Sequence, residues 1–340
     1  MNLAGLLMLA VAVHPIETPL SVLGETQLVC PVCGKTFTAV VSSQANTREG
    51  VDRDLFARAL GPQPVFYQIA TCPACGYSGY PSDFGENVLV PPDVRSKIVT
   101  ERALKLPPGF GPQSDPRELD AADRYALAIT CYGWLQKSDE AMAWLHLRAS
   151  WVARDEGSVL PQDPRLARVM KYIERWRPTM QANENQVDVE MKLAARMAEA
   201  LAAGLFNRYQ KPYVELALAL ILRRHGENRL AQPMLDRLVH DERFSDSLRQ
   251  SMERMRESIK KERQHQAAAA SCFESALLAG RIAPANRASA HYVLGELCRR
   301  LGRDDEAIQW YDKALADPTL AADLQTWARQ QRTWCQSGKR

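Results

Sequence analysis

Two copies of the pattern Cys-Pro-x-Cys-Gly are the part of the sequence with the clearest capacity for chemistry. Cys30 and Cys33 form the first pair, Cys72 and Cys75 form the second, and 38 residues separate the pairs. Two intervening residues let both sulfurs of a pair reach one ion, and structural zinc is commonly held by four such thiolates. The spacing therefore predicts one structural Zn²⁺ ion bound by these four cysteines.

The residues that flank each pair favour the same geometry. Gly34 and Gly76 permit the left-handed backbone of a tight knuckle, and Pro31 and Pro73 stiffen the entry to it. Backbone N–H groups in such a turn can donate to the cysteine sulfurs. Two knuckles of this kind, each beside a β segment, predict a zinc ribbon.

Other uses of the cysteines remain open but have less support. A redox dithiol normally accompanies a βαβ pattern, which the sequence lacks. Disulfides form in exported proteins, and eight cysteines in 340 residues are too dilute for a disulfide scaffold. A catalytic zinc keeps one position open for water, whereas four cysteines fill every position. The six histidines do not cluster in the sequence, and we predict that the chain is not an enzyme.

The elements that must position the two pairs are strands. Thr36–Ser43 and Pro64–Thr71 are rich in β-branched and aromatic residues, and each adjoins one cysteine pair. Between them, Arg48, Asp52 and Asp54 form either a polar site near the metal or, as we favour, loop-fixing ion pairs.

Charge argues against a nucleic-acid-binding front region. The whole chain carries a net charge of +3. Residues 25–95 contain five basic and seven acidic side chains, and a zinc ion with four thiolates adds about −2. A phosphate-binding surface needs positive charge. A nucleic-acid-associated zinc ribbon and a thiol redox sensor remain the alternative hypotheses.

From about residue 119 onward, apolar residues follow a helical period. The segment around Leu294-Gly295 and Arg299-Arg300-Leu301-Gly302, followed by Ala307 and Tyr311, resembles a tetratricopeptide repeat. A second copy aligns Gly226 with Gly302, and a degenerate third copy has Gln136 at this turn position. Stacked helix pairs predict a surface for a protein or peptide partner.

The paired arginines, Arg223-Arg224 and Arg299-Arg300, each precede a turn glycine. They can bind an acidic partner, but we favour a simpler interpretation. Cations at a helix C-terminus complement the exposed carbonyl groups. The charged middle of the long segment Asp246–Leu278 is similarly expected to be a solvated helix face.

Together these features predict an α+β protein with a small four-cysteine zinc ribbon before an all-α, tetratricopeptide-like domain. The predicted limits are a leader at 1–24, the ribbon at 25–95, a Pro/Gly-rich linker at 96–118 and the helical domain at 119–340. Its predicted function is non-enzymatic zinc binding and protein–protein interaction. No segment is long enough for a transmembrane helix.

The apolar run Leu3–Val13 bears on localisation. Its length suits the core of a signal peptide, but no Lys or Arg precedes it. We therefore predict a cytoplasmic protein, with export as the alternative if residues 1–20 act as a signal.

The N-terminal third also resembles a family of uncharacterised bacterial proteins, domain of unknown function 2225. The resemblance rests on both cysteine motifs, the Arg48–Asp54 stretch, and Tyr67 leading into Thr71-Cys72 and Tyr77, with Phe84 beyond. It extends to Trp144, Leu147-Arg148, Trp151 and Arg154-Asp155. The resemblance implies zinc binding by Cys30, Cys33, Cys72 and Cys75, and it implies no established reaction.

Overall fold

A computed structural model describes residues 20–157, 162–180 and 184–338. The apolar run at residues 3–13 lies outside the described residues, so the predicted leader stays a prediction. Among the described residues we find no helix with the length and apolar character needed to cross a lipid bilayer.

The front of the molecule contains two small antiparallel sheets. Strand β1, Val22–Val29, pairs with β2, Thr36–Gln44, and Val29 opposite Thr36 closes the hairpin. Strand β3, Ala70–Thr71, pairs with β4, Ser78–Gly79. Each hairpin loop is a Cys-Pro-x-Cys-Gly knuckle, so the chain reverses direction at the cysteines.

Beyond the front sheets and the loops that follow them, the long regular elements of the described chain are α-helices. The first of these helices lie close to the front sheets. These helices are α1 (Pro92–Val99), α2 (Ala121–Trp134), α3 (Asp139–Glu156), α4 (Pro164–Glu174), α5 (Gln186–Ala202), α6 (Lys211–Arg224), α7 (Asn228–Leu238), α8 (Asp246–Leu278), α9 (Pro284–Leu301), α10 (Asp304–Ala316) and α11 (Ala322–Ser337). A mostly helical chain with small N-terminal sheets confirms the α+β class.

Asp115-Pro116 and Asp163-Pro164 both carry the sequence signal of a helix start, an aspartate cap followed by proline, and both aspartates act as caps. Asp163 accepts hydrogen bonds from the backbone N–H groups of Arg165 and Leu166, which begins α4. Asp115 caps Pro116–Glu118, but this segment is a single 3-10 turn, and α2 begins only at Ala121. A short polar side chain caps the first N–H groups in either kind of helix.

The predicted strand Pro64–Thr71 is wrong for most of its length. Pro64–Tyr67 forms a 3-10 turn, and only Ala70 and Thr71 are extended in a ladder. Proline fixes φ and lacks an N–H group, so it favours the start of a helical turn over a strand interior. Val65 and Ile69 are buried in the core that contains α2 and α3, so their apolar character reflects helix contacts.

The three aligned repeat copies correspond to three helix pairs: α2–α3, α6–α7 and α9–α10. Each inter-helix turn contains a residue with positive φ at the aligned position, +50° at Gln136, +73° at Gly226 and +86° at Gly302. In the last pair Gly295 faces Tyr311, where an added Cβ would lie 2.9 Å from the ring. The alignment therefore located the turns correctly, including the one without glycine.

The apolar core does not separate the cysteine region from the helices. Phe37, Tyr77 and Phe84 pack in one cluster with Leu127 and Cys131 of α2. Helix α1 crosses residue 95, the predicted limit of the ribbon. The predicted domain limits stay a prediction, and the front sheets rest directly on the first long helix.

Candidate metal centre

Four cysteine sulfurs meet between the two front hairpins. Cys30 Sγ lies 3.6 Å from Cys75 Sγ, and Cys33 Sγ lies 3.7 Å from Cys72 Sγ. All four sulfurs lie within 4.8 Å of one another. A tetrahedral ion with metal–sulfur bonds of about 2.3 Å needs sulfur–sulfur separations of about 3.8 Å. The donor set therefore fits one metal ion, as the spacing predicted.

The two knuckles have matching backbone geometry. Gly34 N–H donates to the Cys30 carbonyl at 2.9 Å, and Gly76 N–H donates to the Cys72 carbonyl at 2.8 Å. The φ angles of these glycines are +74° and +79°, a region that side chains with a Cβ rarely adopt. At Gly76 a Cβ would also come within 2.9 Å of Leu106. Glycine is thus required at both turns, and doubly so at the second.

Arg95 of α1 fixes the first knuckle from outside. Its guanidinium donates to the carbonyl oxygens of Pro31 and Val32 at 2.8 and 2.9 Å. The sequence does not predict this contact, because no pattern around Arg95 indicates that it lies beside the cysteines in the fold. A charged donor that satisfies two loop carbonyls holds the turn in the shape the sulfurs need.

The thiols in the centre shift one another's pKa. Hydrogen bonds from Cys30 and Cys75 lower the pKa of Cys72 to about 2. The pKa of Cys30 rises because its thiol donates to Cys72, and the pKa of Cys75 rises through its contacts with Cys30 and Cys72. Several thiolates this close together repel one another, and a divalent cation offsets that repulsion. The centre therefore favours a bound cation over four free anions.

The remaining cysteines and histidines do not extend this centre. All eight cysteines lie in the described part of the chain and are free thiols. His146 and His265, far apart in sequence, touch through their Nδ1 atoms at 3.2 Å. Burial lowers the pKa of both rings, that of His265 to about 4. Across the described residues, only the four-cysteine group places the donor atoms of three or more His, Cys, Asp or Glu side chains all within 4.8 Å of one another.

A second constellation lies where the loop between the cysteine pairs enters the helices. Asn185, the N-cap of α5, bonds both the N–H and the carbonyl of Val51, at 3.1 and 2.8 Å. Tyr292 Oη donates to the Arg53 carbonyl at 2.7 Å. Asp52 and Asp54 are fully buried there. The loop between the pairs is therefore inserted among α5, α6 and α9.

Arg154 is the centre of this constellation. Its Nε lies 2.8 Å from Glu262, its Nη1 lies 3.1 Å from Asp52, and its Nη2 pairs with Asp54. Glu262 also pairs with Arg223. All five side chains are buried, so each charge relies on its neighbours rather than on water.

His225 joins two carboxylates of the same constellation. Its Nδ1 lies 2.7 Å from Asp52, and its Nε2 lies 2.8 Å from Glu190. Burial alone would lower the pKa of His225, but the negative charge and hydrogen bonds of Asp52 and Glu190 raise it above its ordinary value. Both ring nitrogens then donate, so the imidazolium form matches the geometry.

The other end of the constellation lies on α9. Glu296 bonds Arg299 and Arg300 at 2.6 and 2.7 Å and accepts from Tyr311 at 2.8 Å. Arg300 also approaches Asp54 at 3.4 Å. Arg299 reaches across to Glu227 at 2.7 Å.

Cationic and anionic side chains balance in this buried ion network. Six carry positive charge when His225 is protonated, and six are carboxylates. The members are Arg58, Arg154, Arg223, His225, Arg299, Arg300, Asp52, Asp54, Glu190, Glu227, Glu262 and Glu296. Neutrality makes burial of so many charges tolerable, because each ion has a counter-ion in contact.

Several sequence interpretations change here. The paired arginines do lie in the last turns of α6 and α9, as expected. Arg223, Arg299 and Arg300, however, are buried and pair with carboxylates. Glu262 lies in the segment expected to be solvated, yet it is fully buried. The loop-fixing interpretation of Asp52 and Asp54 holds, although their partners are distant helices. Arg48 is exposed and takes no part.

One signal in the sequence could have indicated the network. Glu296 and Arg154 interrupt apolar helix faces, between Leu294 and Leu297 and after Trp151-Val152. A charge in the middle of an apolar face is expensive unless a counter-ion meets it. That pattern identifies buried charges, although it does not say which groups pair.

Comparison with known protein families finds a match that covers most of this chain. A family described as "Uncharacterized protein conserved in bacteria (DUF2225)" matches residues 23–260 and, a second time, residues 250–335. The chain belongs to this family. The match includes both cysteine pairs, and it confirms the resemblance seen in the N-terminal third. Comparison with curated proteins gave no match, and comparison with solved structures gave none either.

Proposed function

We propose that this DUF2225 chain is a non-catalytic zinc protein whose helical part binds a protein or peptide partner. The observation that carries the zinc assignment is the closed group of four sulfurs within 4.8 Å. Four soft thiolates in a tetrahedral arrangement select zinc among common structural ions and leave no position for a reacting water. In this proposal the two knuckles form a zinc ribbon.

Bound zinc would supply structural closure rather than a reaction. It would join Cys30 and Cys33 to Cys72 and Cys75 and so close the loop that carries Asp52 and Asp54. Closing a loop of this length reduces the entropy of the unfolded chain. The metal centre would thus hold the loop in place while the buried ion network fixes its tip among the helices.

The helical part supports the binding half of the proposal. Helix pairs α2–α3, α6–α7 and α9–α10 with matching turns are consistent with tetratricopeptide-like repeats. Such repeats present extended surfaces to protein segments. Free thiolates for zinc persist best in a reducing compartment, so we propose a cytoplasmic location. Nothing in the described residues favours nucleic-acid binding or thiol redox chemistry.

Metal analysis tests the zinc assignment. Elemental analysis of the purified full chain should give one zinc per chain, and Cys72→Ser should lose most of it. Cys131→Ala is the matched control, because Cys131 is buried in the same apolar cluster but is not among the four ligands. This control should retain zinc. A folded wild-type chain without zinc, or equal zinc loss in the control, would overturn the assignment.

A further inference from the structure

An open, mostly apolar cleft lies between α4, the loop before α6, and α6 itself. Its volume is about 410 Å³. We call it the aromatic cleft, and its apolar lining comprises Val169, Tyr172, Phe206, Tyr209, Tyr213 and Val214. It is separate from both the metal centre and the buried ion network.

Large apolar side chains are left in solvent around this cleft. Tyr172 is 48% exposed and Tyr209 is 62% exposed, and Leu205 beside Phe206 is 69% exposed. Folded proteins seldom leave such residues grouped at the surface unless a partner covers them.

Three guanidinium groups border the cleft without a salt bridge to any described carboxylate. Arg165 and Arg168 line it, and Arg208 stacks over the Tyr209 ring with its Cζ 4.6 Å from the centroid. Within the described chain, the side-chain hydrogen bond of Arg165 is to Tyr213 Oη at 3.5 Å. The arginines of the buried ion network, by contrast, all contact carboxylates.

We propose that the aromatic cleft binds a protein segment in which a large apolar side chain is flanked by acidic residues. The anchor would fill the apolar floor, and the flanking carboxylates would pair with Arg165, Arg168 and Arg208. This inference rests on the proposed peptide-binding function and names its site and the chemistry of its partner. Buried aromatic anchors with charged rims are the usual energetic centre of such interfaces.

Single-stranded nucleic acid is the competing occupant, because arginines and aromatic rings also stack with bases. It requires a groove with positive charge along the backbone path. Arg165, Arg168 and Arg208 stand at the aromatic cleft itself, and aliphatic Val169 and Val214 contribute to its floor. The lining therefore suits an apolar anchor better than a phosphate chain.

The test uses the full zinc-loaded chain and labelled dodecapeptides measured by fluorescence anisotropy. One peptide has a central tryptophan between glutamates. The others replace the tryptophan with serine, or the glutamates with lysines or with serines. An oligothymidine of about the same length is the nucleic-acid probe. The glutamate–tryptophan peptide should bind tightest, and loss of the tryptophan or of the glutamates should each weaken binding about tenfold or more.

Variants at exposed positions locate the binding. Arg165→Ala/Arg168→Ala and, separately, Tyr209→Ala should each weaken binding of that peptide about tenfold. The matched control is Arg237→Ala/Arg329→Ala, which removes two exposed arginines on α7 and α11 that form no salt bridge within the described chain. The control should bind as wild type. Arg165→Glu/Arg168→Glu should instead prefer the lysine-flanked peptide.

Each outcome decides a different point. Peptide binding that is unchanged in all cleft variants overturns the cleft assignment but leaves peptide binding elsewhere intact. If no peptide binds, both the proposed peptide binding and the cleft assignment fail. The proposed zinc binding is then still tested separately by the zinc content. Tighter binding of oligothymidine that the arginine variants abolish would assign the cleft to nucleic acid instead.

Discussion

The metal centre and the buried ion network are both clusters of ionisable side chains, yet they are built in opposite ways. The cysteines come from two short segments, Cys30–Lys35 and Cys72–Tyr77, each shaped by its own hydrogen bonds. The ion network combines the loop at 52–58 with helices α3, α5, α6, α8 and α9, and the turn before α7. The first cluster is built from two local turns and, in our proposal, takes up an ion. The second is non-local and supplies its own counter-ions.

The difference shows how a chain can tolerate buried charge. In the proposed zinc site an external cation would offset the repulsion among thiolates, so the site would depend on metal supply. The ion network reaches neutrality internally, but only when every helix is in place. Because the loop between the cysteine pairs carries Asp52 and Asp54, the two clusters are joined by the same segment. We therefore expect that disrupting either cluster destabilises the other, and the following predictions test this.

Metal removal should give the largest effect. Structural zinc sites contribute on the order of 10 kcal/mol of binding free energy. A chelator should therefore abolish hydrogen-exchange protection of the amides of Gly34 and Gly76. The amides of Asp52 and Arg58, which bond the carbonyls of Phe56 and Gly50, should also lose protection.

Helix α10 provides the internal reference for this experiment, because it contributes no charged member of either cluster and meets the ion network through a single hydroxyl, that of Tyr311 on Glu296. Its amides should keep most of their protection in chelator. If chelator removes protection at Gly34 and Gly76 but leaves the exchange rates of the Asp52 and Arg58 amides unchanged, the two clusters are independent.

Arg154→Met should have the next largest effect. The change leaves Asp54 and Glu262 buried without their shared cation, and breaking a buried pair in this way costs about 3–5 kcal/mol. Urea unfolding should show that loss in the free energy of unfolding. Arg237→Met, at an exposed position on α7, should stay close to wild type. A loss below about 1 kcal/mol for Arg154→Met would contradict a central role for this guanidinium.

The pH dependence of stability should identify His225. The pKa of His225 is raised in the folded state. Its contribution to the free energy of unfolding is therefore complete below its unfolded pKa of about 6.5, and it is lost as pH rises through the folded pKa. His225→Gln should destabilise the chain by about 1–3 kcal/mol near pH 6. It should also remove the fall in stability on the alkaline side.

His240→Gln is the matched control, since His240 is exposed. An identical alkaline slope in wild type and His225→Gln would assign that slope to other groups. On the acid side, favourable charges offset the cost of burial and lower the pKa of Glu190, Glu262 and Glu296 to about 2. Their contribution to stability is present above about 4.5 and is lost as pH falls towards 2. In His225→Gln the part that comes from Glu190 should shrink, because the charge and hydrogen bond of His225 help to lower the pKa of Glu190.

Arg48→Ala should have the smallest effect. The sequence grouped Arg48 with Asp52 and Asp54, but its side chain is exposed and lies outside the ion network. We expect a change in unfolding free energy within about 0.5 kcal/mol and no change in zinc content. A loss comparable to that of Arg154→Met would mean that the network reaches Arg48.

The sequence by itself determined the grouping of the four cysteines, the knuckle glycines, the α+β class, the cap at Asp163 and the turns of the three helix pairs. Each cysteine pair, glycine, cap and turn depends on residues a few positions apart, where backbone geometry restricts what the chain can do. The strand prediction for Pro64–Thr71 was wrong because buried apolar residues occur in contacts with helices as readily as in strands.

Only the tertiary structure decided the partners of the buried charges. Arg154 and Asp54 lie 100 residues apart, and Arg154 and Glu262 lie 108 apart. With 43 basic and 40 acidic side chains in the chain, a charge pattern cannot select one pair among so many. Helix packing selects them, because an ion buried by packing is tolerated only where its counter-ion is buried beside it.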